Sequence, residues 1–293
     1  MDRPDQALAL AVLGLLAGCR QAPERLRVTF LDVGQGDGAV IEAPSGKVIV
    51  VDGGGIPRSD PQAGAEPGSR IVVPFLRSRG ISCVDLLIAT HPDDDHVQGL
   101  LAVTERLAVR AALDSGLPAP PDSLMGRLRA LWKARGITVH TARRGQRFDL
   151  GRGAHLEILH PGERLITGSR SDDNNNAIVA RLVYKKVRVL FTADAELEAE
   201  QDLLASGQDL SADVLKVGHH GSRGSTNARF LEAVAPHAAI LSCGRNNRFG
   251  HPHKETLARL VEQSVKVFRT DQQGALALES DGEGFSLTPL SRL

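Results

Sequence analysis

The feature of this sequence that most restricts its fold is a polar run placed directly after an apolar segment. Val84 to Ala89 (VDLLIA) is an apolar run typical of a strand covered on both faces. It is followed at once by Thr90-His91-Pro92-Asp93-Asp94-Asp95-His96. Loops at the carboxyl ends of buried strands are where a rigid scaffold holds ligands with little strain. We therefore expect an α/β fold with a functional site at this edge of a sheet.

The polar run has the composition of a metal site. His91, Asp93, Asp95 and His96 supply two imidazoles and two carboxylates within six residues, a mixture of ligands that divalent metals prefer. Alternate residues of an extended loop point to one side, so His91 and Asp93 are expected to bind one ion. Asp95 and His96, turning into a helix, are expected to bind a second. An acidic first helical turn would explain the aspartates alone, but not the flanking histidines.

Apolar periodicity and turn residues divide the rest of the chain into clusters of short strands separated by helices, in two comparable halves. This pattern favours a layered α/β sandwich with two sheets inside, as one large domain or two tightly fused halves. The predicted helices are 71–79, 95–107, 124–133, 196–205, 228–234 and 254–263, and the predicted strands are 27–31, 39–42, 47–51, 84–89, near 138, 156–159, 178–183, 187–191, 214–217, 239–243, 265–269 and 276–278.

Charge and composition exclude some classes of function. The chain has 293 residues, and its 35 basic and 35 acidic residues give no net charge, unlike a strongly basic nucleic-acid binder. Any recognition of phosphate must therefore be local. The cysteines Cys83 and Cys243 are too few for a disulfide framework and can be free or paired.

The amino-terminal segment has the pattern of a leader. Ala7 to Ala17 is apolar but too short to span a bilayer, and Leu16-Ala17-Gly18-Cys19 resembles a bacterial lipobox. We expect a lipoprotein signal peptide at 1–18, a lipid on Cys19 that anchors the chain to a membrane, a short tether at 19–26 and the functional domain at 27–293. The protein would then be an extracytoplasmic lipoprotein of the cell envelope. The alternative is a buried amino-terminal helix.

Several motifs together resemble the metallo-β-lactamase superfamily, and in particular the hydrolase domain of ComEC-type competence proteins, which internalise DNA. The run from His91 to His96 is similar to the His-x-His-x-Asp-His pattern, with aspartate in place of the second histidine. The resemblance covers roughly 27–278 and implies a four-layer αββα sandwich. The other matching motifs, in order, are Asp32-Val33-Gly34-Gln35-Gly36-Asp37, Val51-Asp52-Gly53-Gly54, Asn174-Asn175-Asn176, Phe191-Thr192-Ala193-Asp194, His219-His220-Gly221-Ser222, Gly244-Arg245-Asn246-Asn247 and Gly250-His251-Pro252-His253.

The resemblance also implies a set of ligands. Asp194 would bridge two ions roughly 3.5 to 4 Å apart, and it is also placed to cap the helix that follows. One histidine of the pair His219 and His220 would be a ligand or the general acid. His251 is the preferred last ligand, with His219 as the alternative. The two divalent ions are expected to be Zn or Mn. Asparagines 174–176 stand where many family members have another metal histidine, so the site is expected to bind manganese or to exchange its metal more easily than an all-histidine site.

Other residues are expected to support the centre. Asp37, Asp52 and Asn176 would hold the ligand histidines from behind. Arg223, Arg245, Asn247 and Arg248 lie in the same group of loops and would bind a phosphate.

The resemblance implies an exported metal-dependent hydrolase, a phosphodiesterase or nuclease that uses a metal-bridged hydroxide, with Asp95, His219 and His220 as catalytic residues. The expected substrate is DNA or another exported phosphodiester. Because no further segment is long enough to span a membrane, a role in DNA uptake would require a separate channel partner. The alternatives are hydrolysis of a carboxylic ester, thioester or lactam on the same scaffold, or a non-catalytic envelope lipoprotein.

Overall fold

A computed structural model describes residues 25–56 and 66–290. The expected signal peptide at 1–18, the lipid-bearing Cys19 and all but the end of the expected tether lie outside the described residues. Within them, no helix combines the length and apolar character needed to cross a membrane.

The described residues form the following strands and helices. The strands are β1 (Leu26–Phe30), β2 (Gly38–Glu42), β3 (Val48–Gly53), β4 (Cys83–Ala89), β5 (Ala108–Asp114), β6 (Thr138–Thr141), β7 (Arg147–Gly151), β8 (Ala154–His160), β9 (Val179–Tyr184), β10 (Val187–Phe191), β11 (Val214–Lys216), β12 (Ala238–Leu241), β13 (Lys266–Arg269), β14 (Leu276–Ser280) and β15 (Phe285–Pro289). The α-helices are α1 (Val73–Ser78), α2 (Asp94–Arg106), α3 (Leu124–Ala134), α4 (Leu197–Ala205), α5 (Ala228–Val234), α6 (Lys254–Glu262) and α7 (Thr270–Gln273).

The strands form two mixed sheets. The first sheet has the order β15-β14-β1-β2-β3-β4-β5-β6, and the second has the order β13-β12-β11-β10-β9-β8-β7. In each sheet an antiparallel group continues into parallel strands, which are β3 to β6 in the first and β10 to β13 in the second. The late strands β14 and β15 join the first sheet through antiparallel pairing of β14 with β1.

Three apolar clusters separate four layers. The central cluster joins the inner faces of both sheets, for example Ile49 and Ile88 of the first with Leu156 and Val189 of the second. A second cluster packs α1 to α3 on the outer face of the first sheet, and a third packs α4 to α6 on the second. Alternate residues of a strand point to opposite faces, so strands covered on both sides are almost wholly apolar. The predicted αββα sandwich is confirmed.

The predicted elements agree with this architecture, but three strands and the short helix α7 were not predicted. The helix predicted at 228–234 and the strand predicted at 187–191 have the bounds observed, and most others differ by one or two residues. Strands β5, β7 and β15 were not predicted. Many of their residues are exposed or only partly buried, as in β7, where Leu150 alone is buried, so the apolar signal of a strand is weak there.

Candidate metal centre

The predicted site residues come from loops at one edge of the two sheets. His91 lies just after β4, and His96 lies in the first turns of α2. Asp194 follows β10, and the pair His219 and His220 follows β11. Each of these loops follows a strand of the parallel part of its sheet. Their polar side chains therefore lie at the same edge, at the carboxyl ends of the parallel strands.

Three buried histidines are each oriented through Nδ1. His96 Nδ1 lies 2.8 Å from Asp52 Oδ2, so its N–H donates to that carboxylate. The Thr90 hydroxyl donates to Asp52 and lies 3.0 Å from His91 Nδ1, which makes it the acceptor for the His91 N–H. His220 Nδ1 lies 3.0 Å from the carbonyl oxygen of Ser242, which can only accept. The Nε2 lone pair of each ring is therefore free to bind a ligand.

The Nε2 atoms of these histidines face Asp194. His96 Nε2 lies 3.2 Å from Asp194 Oδ1, and Oδ2 of the same carboxylate lies 3.5 Å from His220 Nε2 and 4.0 Å from His91 Nε2. Among the residues that the structure describes, none of the three Nε2 atoms, nor Asp194 Oδ1, has a hydrogen-bond partner, although all four atoms are buried. Buried polar atoms are rarely left without a partner, so their convergence fits a site built for cations.

The donor atoms form four overlapping groups in the described part of the chain, and two of these groups contain neither Asp37 nor Asp52. His91, His96 and Asp194 make one group, and Asp95, His96 and His220 make another, with the atoms of each group within 4.8 Å of one another. Asp93 is a further donor, since its Oδ2 lies 3.6 Å from His91 Nε2. Mixed nitrogen and oxygen donors in adjoining groups are the ligands that divalent metal ions prefer.

His219 and His251 stand at the rim of this cluster. His219 is 24% exposed, with Nδ1 2.8 Å from Glu196 Oε1 and Nε2 3.6 Å from Asp194 Oδ2. The His251 ring centre lies 5.5 Å from that of His219 and 6.1 Å from that of His220. Its Nδ1 lies 3.4 Å from Gln35 Nε2, so His251 borders the donor groups without belonging to any of them.

Charges in the cluster shift its titration strongly. Burial lowers the pKa of His96, but Asp194 and Asp52 outweigh it and raise the pKa well above the usual value. Burial raises the pKa of Asp194, but His220 and His96 outweigh it and hold the pKa well below the usual range. For His251, burial and the neighbouring His220 and His219 lower the pKa to about 3, so its ring is neutral. The same negative field that holds protons on the metal-free cluster attracts divalent cations.

We expect the metal-free chain to lose stability as the pH rises from 6.5. Burial lowers the pKa of His220, but Asp194 and Asp37 raise it from 6.5 to about 10. Between these values the folded chain binds more protons than the unfolded chain, so its free energy of unfolding falls with pH. The trend is measured by thermal unfolding in EDTA between pH 6.5 and about 8.5, a range that ends near the ordinary pKa of a cysteine thiol.

Adding Mn²⁺ or Zn²⁺ should reverse this trend, because metal displaces the Nε2 protons and binds more tightly at higher pH. His220→Gln is the matched variant, and its slope in EDTA should be shallower. An unfolding temperature of the metal-free chain that is flat or rises with pH would contradict the shift.

A buried ion pair lies behind the centre. Lys216, in β11, is 3% exposed, and its Nζ lies 2.8 Å from Asp37 Oδ2 and donates to the carbonyl of Val217. Asp37 Oδ1 lies 3.2 Å from His220 Nδ1. The expected support of ligand histidines by Asp37 and Asp52 therefore has direct contacts. Lys216 was not predicted, although a lysine inside the apolar run VLKV is itself a signal of a buried partner.

The three asparagines of 174–176 have different contacts and therefore different roles. Asn176 hydrogen-bonds the backbone of Ile166 and Asp172 and holds that loop, so these bonds do not support a ligand histidine. Asn175 Oδ1 accepts from the backbone N–H of Ala199 and caps α4, a role that we had expected of Asp194. Asn174 lies at the centre, with Nδ2 3.5 Å from His219 Nδ1 and a buried Oδ1 that has no hydrogen-bond partner.

The residues expected to bind phosphate are spread over the surface near the site. Arg223 and Arg248 are exposed. Arg245 donates to the backbone of Asp271 and lines a separate cavity of ≈ 710 Å³. Asn247 uses both ends of its amide to hold its own loop, through the backbone of Gly244 and His251. Phosphate contacts by these four residues stay a prediction.

A groove opens onto the centre. It has a volume of ≈ 430 Å³ and is lined at its floor by Asp93, Asp95, Asp194 and His219. Its other lining residues are Pro92, Asp94, Pro118, Ala119, Pro120, Ser123, Asp173 and Phe249. A volume in this range is typical of sites that bind small ligands.

Both the sequence and the fold are similar to those of known proteins. Residues 31–245 match the family described as "Metallo-beta-lactamase superfamily". The chain is 32% identical over 259 residues to ComE operon protein 3 of Bacillus subtilis, covering 85% of this chain and 32% of that protein. It is 30% identical over 250 residues to Competence protein ComA of Neisseria gonorrhoeae, covering 85% and 31%. The chain thus spans about a third of the length of these relatives.

Among solved structures, the fold is similar to Igni18, a metallo hydrolase from Ignicoccus hospitalis. The TM-score is 0.52 at 13% identity, and the match covers 86% of this chain and 98% of that chain. At this identity the likeness concerns the fold alone.

Proposed function

The chain belongs to the metallo-beta-lactamase superfamily of metal-dependent hydrolases, and from this premise we propose that it is a phosphodiesterase that cleaves nucleic acid. The observation that carries the proposal is the set of partnerless Nε2 atoms of His91, His96 and His220 around one buried carboxylate. Such a set fits two adjacent cations better than any arrangement of hydrogen bonds within the chain.

The proposed ligands follow from the distances. His91, Asp93 and Asp194 would hold one ion, and Asp95, His96 and His220 would hold the other, with Asp194 shared between them. We therefore propose His220 for the ligand position that we had expected of His219 or His251. Support comes from the burial of His220 and its 3.4 Å contact with Asp95 Oδ2, whereas His251 lies outside all four donor groups.

Two divalent ions in this site would supply Lewis acidity toward a phosphoryl oxygen and lower the pKa of a bound water. The protein's own groups do the rest. His219, partly exposed in the groove, would donate a proton from Nε2 to the leaving oxygen while Glu196 holds its Nδ1. Asp52 and Asp37 would hold the ligand rings in one tautomer.

DNA is the proposed substrate, since the relatives include a protein named for competence and the sequence resembles proteins that internalise DNA. The chain spans about a third of the length of those relatives, and we propose that it acts on DNA together with a channel partner. We also propose, from the lipobox pattern, that Cys19 carries a lipid and that the hydrolase acts outside the cytoplasm at the cell envelope.

The test is an assay of the purified chain after loading with Mn²⁺ or Zn²⁺. Bis(nitrophenyl) phosphate, single-stranded DNA and double-stranded DNA are the substrates, and nitrophenyl acetate is the matched ester. We expect metal-dependent cleavage of the diesters and none above background for the ester. Cleavage of the ester but of no diester, with either metal, would overturn the proposal.

A further inference from the structure

Phe249 is an unusual aromatic residue in this chain. The sequence has only eight Phe, one Trp and one Tyr, and all of them lie in the described part of the chain. Phe249 alone among them is exposed there, with 39% of its surface accessible. Large apolar side chains in contact with water lose the stabilisation that burial gives and often mark binding surfaces.

Phe249 lies at the proposed reaction centre. It lines the same groove as Asp93, Asp194 and His219. Its ring is stacked beside His251, with ring centres 5.8 Å apart and planes inclined by 25°. Because His251 borders both histidines of the pair that follows β11, the aromatic ring is tied in position to the metal centre.

The rest of the groove shows what Phe249 could recognise. Among the described lining residues, five are aspartates, so the groove attracts phosphate only through bound cations. The lining also includes Pro118, Ala119 and Pro120, whose side chains are apolar. The exposed Arg248 guanidinium lies 5.1 Å from the centre of the Phe249 ring. An apolar ring with a cation beside it at the mouth of a phosphodiester site matches a nucleobase and its adjoining phosphate.

We propose that Phe249 stacks on an unpaired nucleobase next to the phosphodiester that is cleaved, so that the groove selects single-stranded nucleic acid. The inference rests on the proposed function and specifies its substrate. A base within a duplex is stacked on both faces by its neighbours and must be unstacked before it can meet the ring, at a cost of a few kcal/mol. Single strands and frayed ends avoid this cost.

The experiment measures binding without turnover, in a His219→Gln background that lacks the proposed proton donor but keeps every proposed metal ligand, loaded with Mn²⁺. A fluorescein-labelled oligothymidine is compared with a strand of the same length whose sugars carry no bases, by fluorescence anisotropy. Phe249→Ala should weaken binding of the oligothymidine about tenfold or more, which is the usual loss for one stacking residue, and should leave the abasic strand unchanged.

Two further variants separate stacking from a structural role. Phe249→Trp keeps an aromatic face and should bind the oligothymidine as tightly as Phe249 does. Val261→Ala removes an equally apolar but remote side chain, 70% exposed on α6, and should change neither affinity. Equal weakening of both strands by Phe249→Ala, or weakening of neither, would overturn the stacking role.

The proposed function is tested by a different measurement, the hydrolysis of diesters. A chain with Phe249 and His219 intact that hydrolyses no diester with either metal would overturn the phosphodiesterase assignment, whatever the binding assay gives. Base-dependent binding that Phe249→Ala abolishes would still identify a nucleobase site at this groove.

Discussion

Replacing Asp194 with Asn is expected to lower phosphodiester turnover by at least about a thousandfold, equivalent to about 4 kcal/mol of transition-state stabilisation. The reason is its central position. Its carboxylate lies within 3.2 Å of His96 Nε2, 3.5 Å of His220 Nε2 and 3.6 Å of His219 Nε2. An amide keeps the shape of the side chain, but its NH₂ group cannot bind a cation and its charge is lost.

The measurement is kcat/KM on bis(nitrophenyl) phosphate together with the metal content by mass spectrometry. Bound metal should fall from two ions per chain to one or fewer, while circular dichroism stays unchanged because a polar loop ligand contributes little to the core. Asp149→Asn, at an exposed position on β7, is the matched control and should keep both metal and activity. Wild-type turnover by Asp194→Asn would exclude the proposed bridging role.

The second large effect is expected at Lys216. Replacing it with Met leaves Asp37 charged and 6% exposed behind the centre, without its 2.8 Å partner. Breaking a buried pair by removing one member typically costs about 3 to 5 kcal/mol of the free energy of unfolding. Because Asp37 also contacts His220, we expect metal affinity to fall about 10- to 100-fold as well.

A double-mutant cycle by urea unfolding isolates the pair. The losses of unfolding free energy caused by Lys216→Met and by Asp37→Leu should add up to more than the loss in the double variant. The reason is that each single variant leaves one unpaired buried charge and the double variant leaves none. Lys186→Met is the matched control. That lysine pairs with Glu283 at 2.7 Å but is 74% exposed, so its loss should change stability little. Additive effects of Lys216→Met and Asp37→Leu would contradict a coupled pair.

The order of motifs was enough to identify the family and the fold. The run from His91 to His96, Asp194 after an apolar strand and the pair His219 and His220 predicted a metallo-β-lactamase sandwich, and the comparisons confirm both the family and its resemblance to competence proteins. These motifs are local, and each combines a buried strand with a polar turn. Such local patterns can be recognised in a sequence because the residue types of each motif agree with the backbone geometry that the motif requires.

The roles within the histidine pair could not be predicted in the same way. His219 and His220 are adjacent and both have left-handed backbone, with φ of 44° and 53°. The sequence therefore does not distinguish which ring turns inward. The structure buries His220 between Asp37, Asp95 and Asp194, and leaves His219 at the rim of the groove.

By itself, the sequence determined the alternation of buried strands and helices and the types of donor atoms that follow them, because these depend on neighbours along the chain. Only the tertiary structure decided which donor atoms lie close together, which histidine ring contacts the Asp37 carboxylate that pairs with Lys216, and that Phe249 lines the groove. Those relations join residues far apart in sequence, such as Asp52 with His96 and Gln35 with His251. They exist only once both sheets have packed and brought the ends of their parallel strands to one edge.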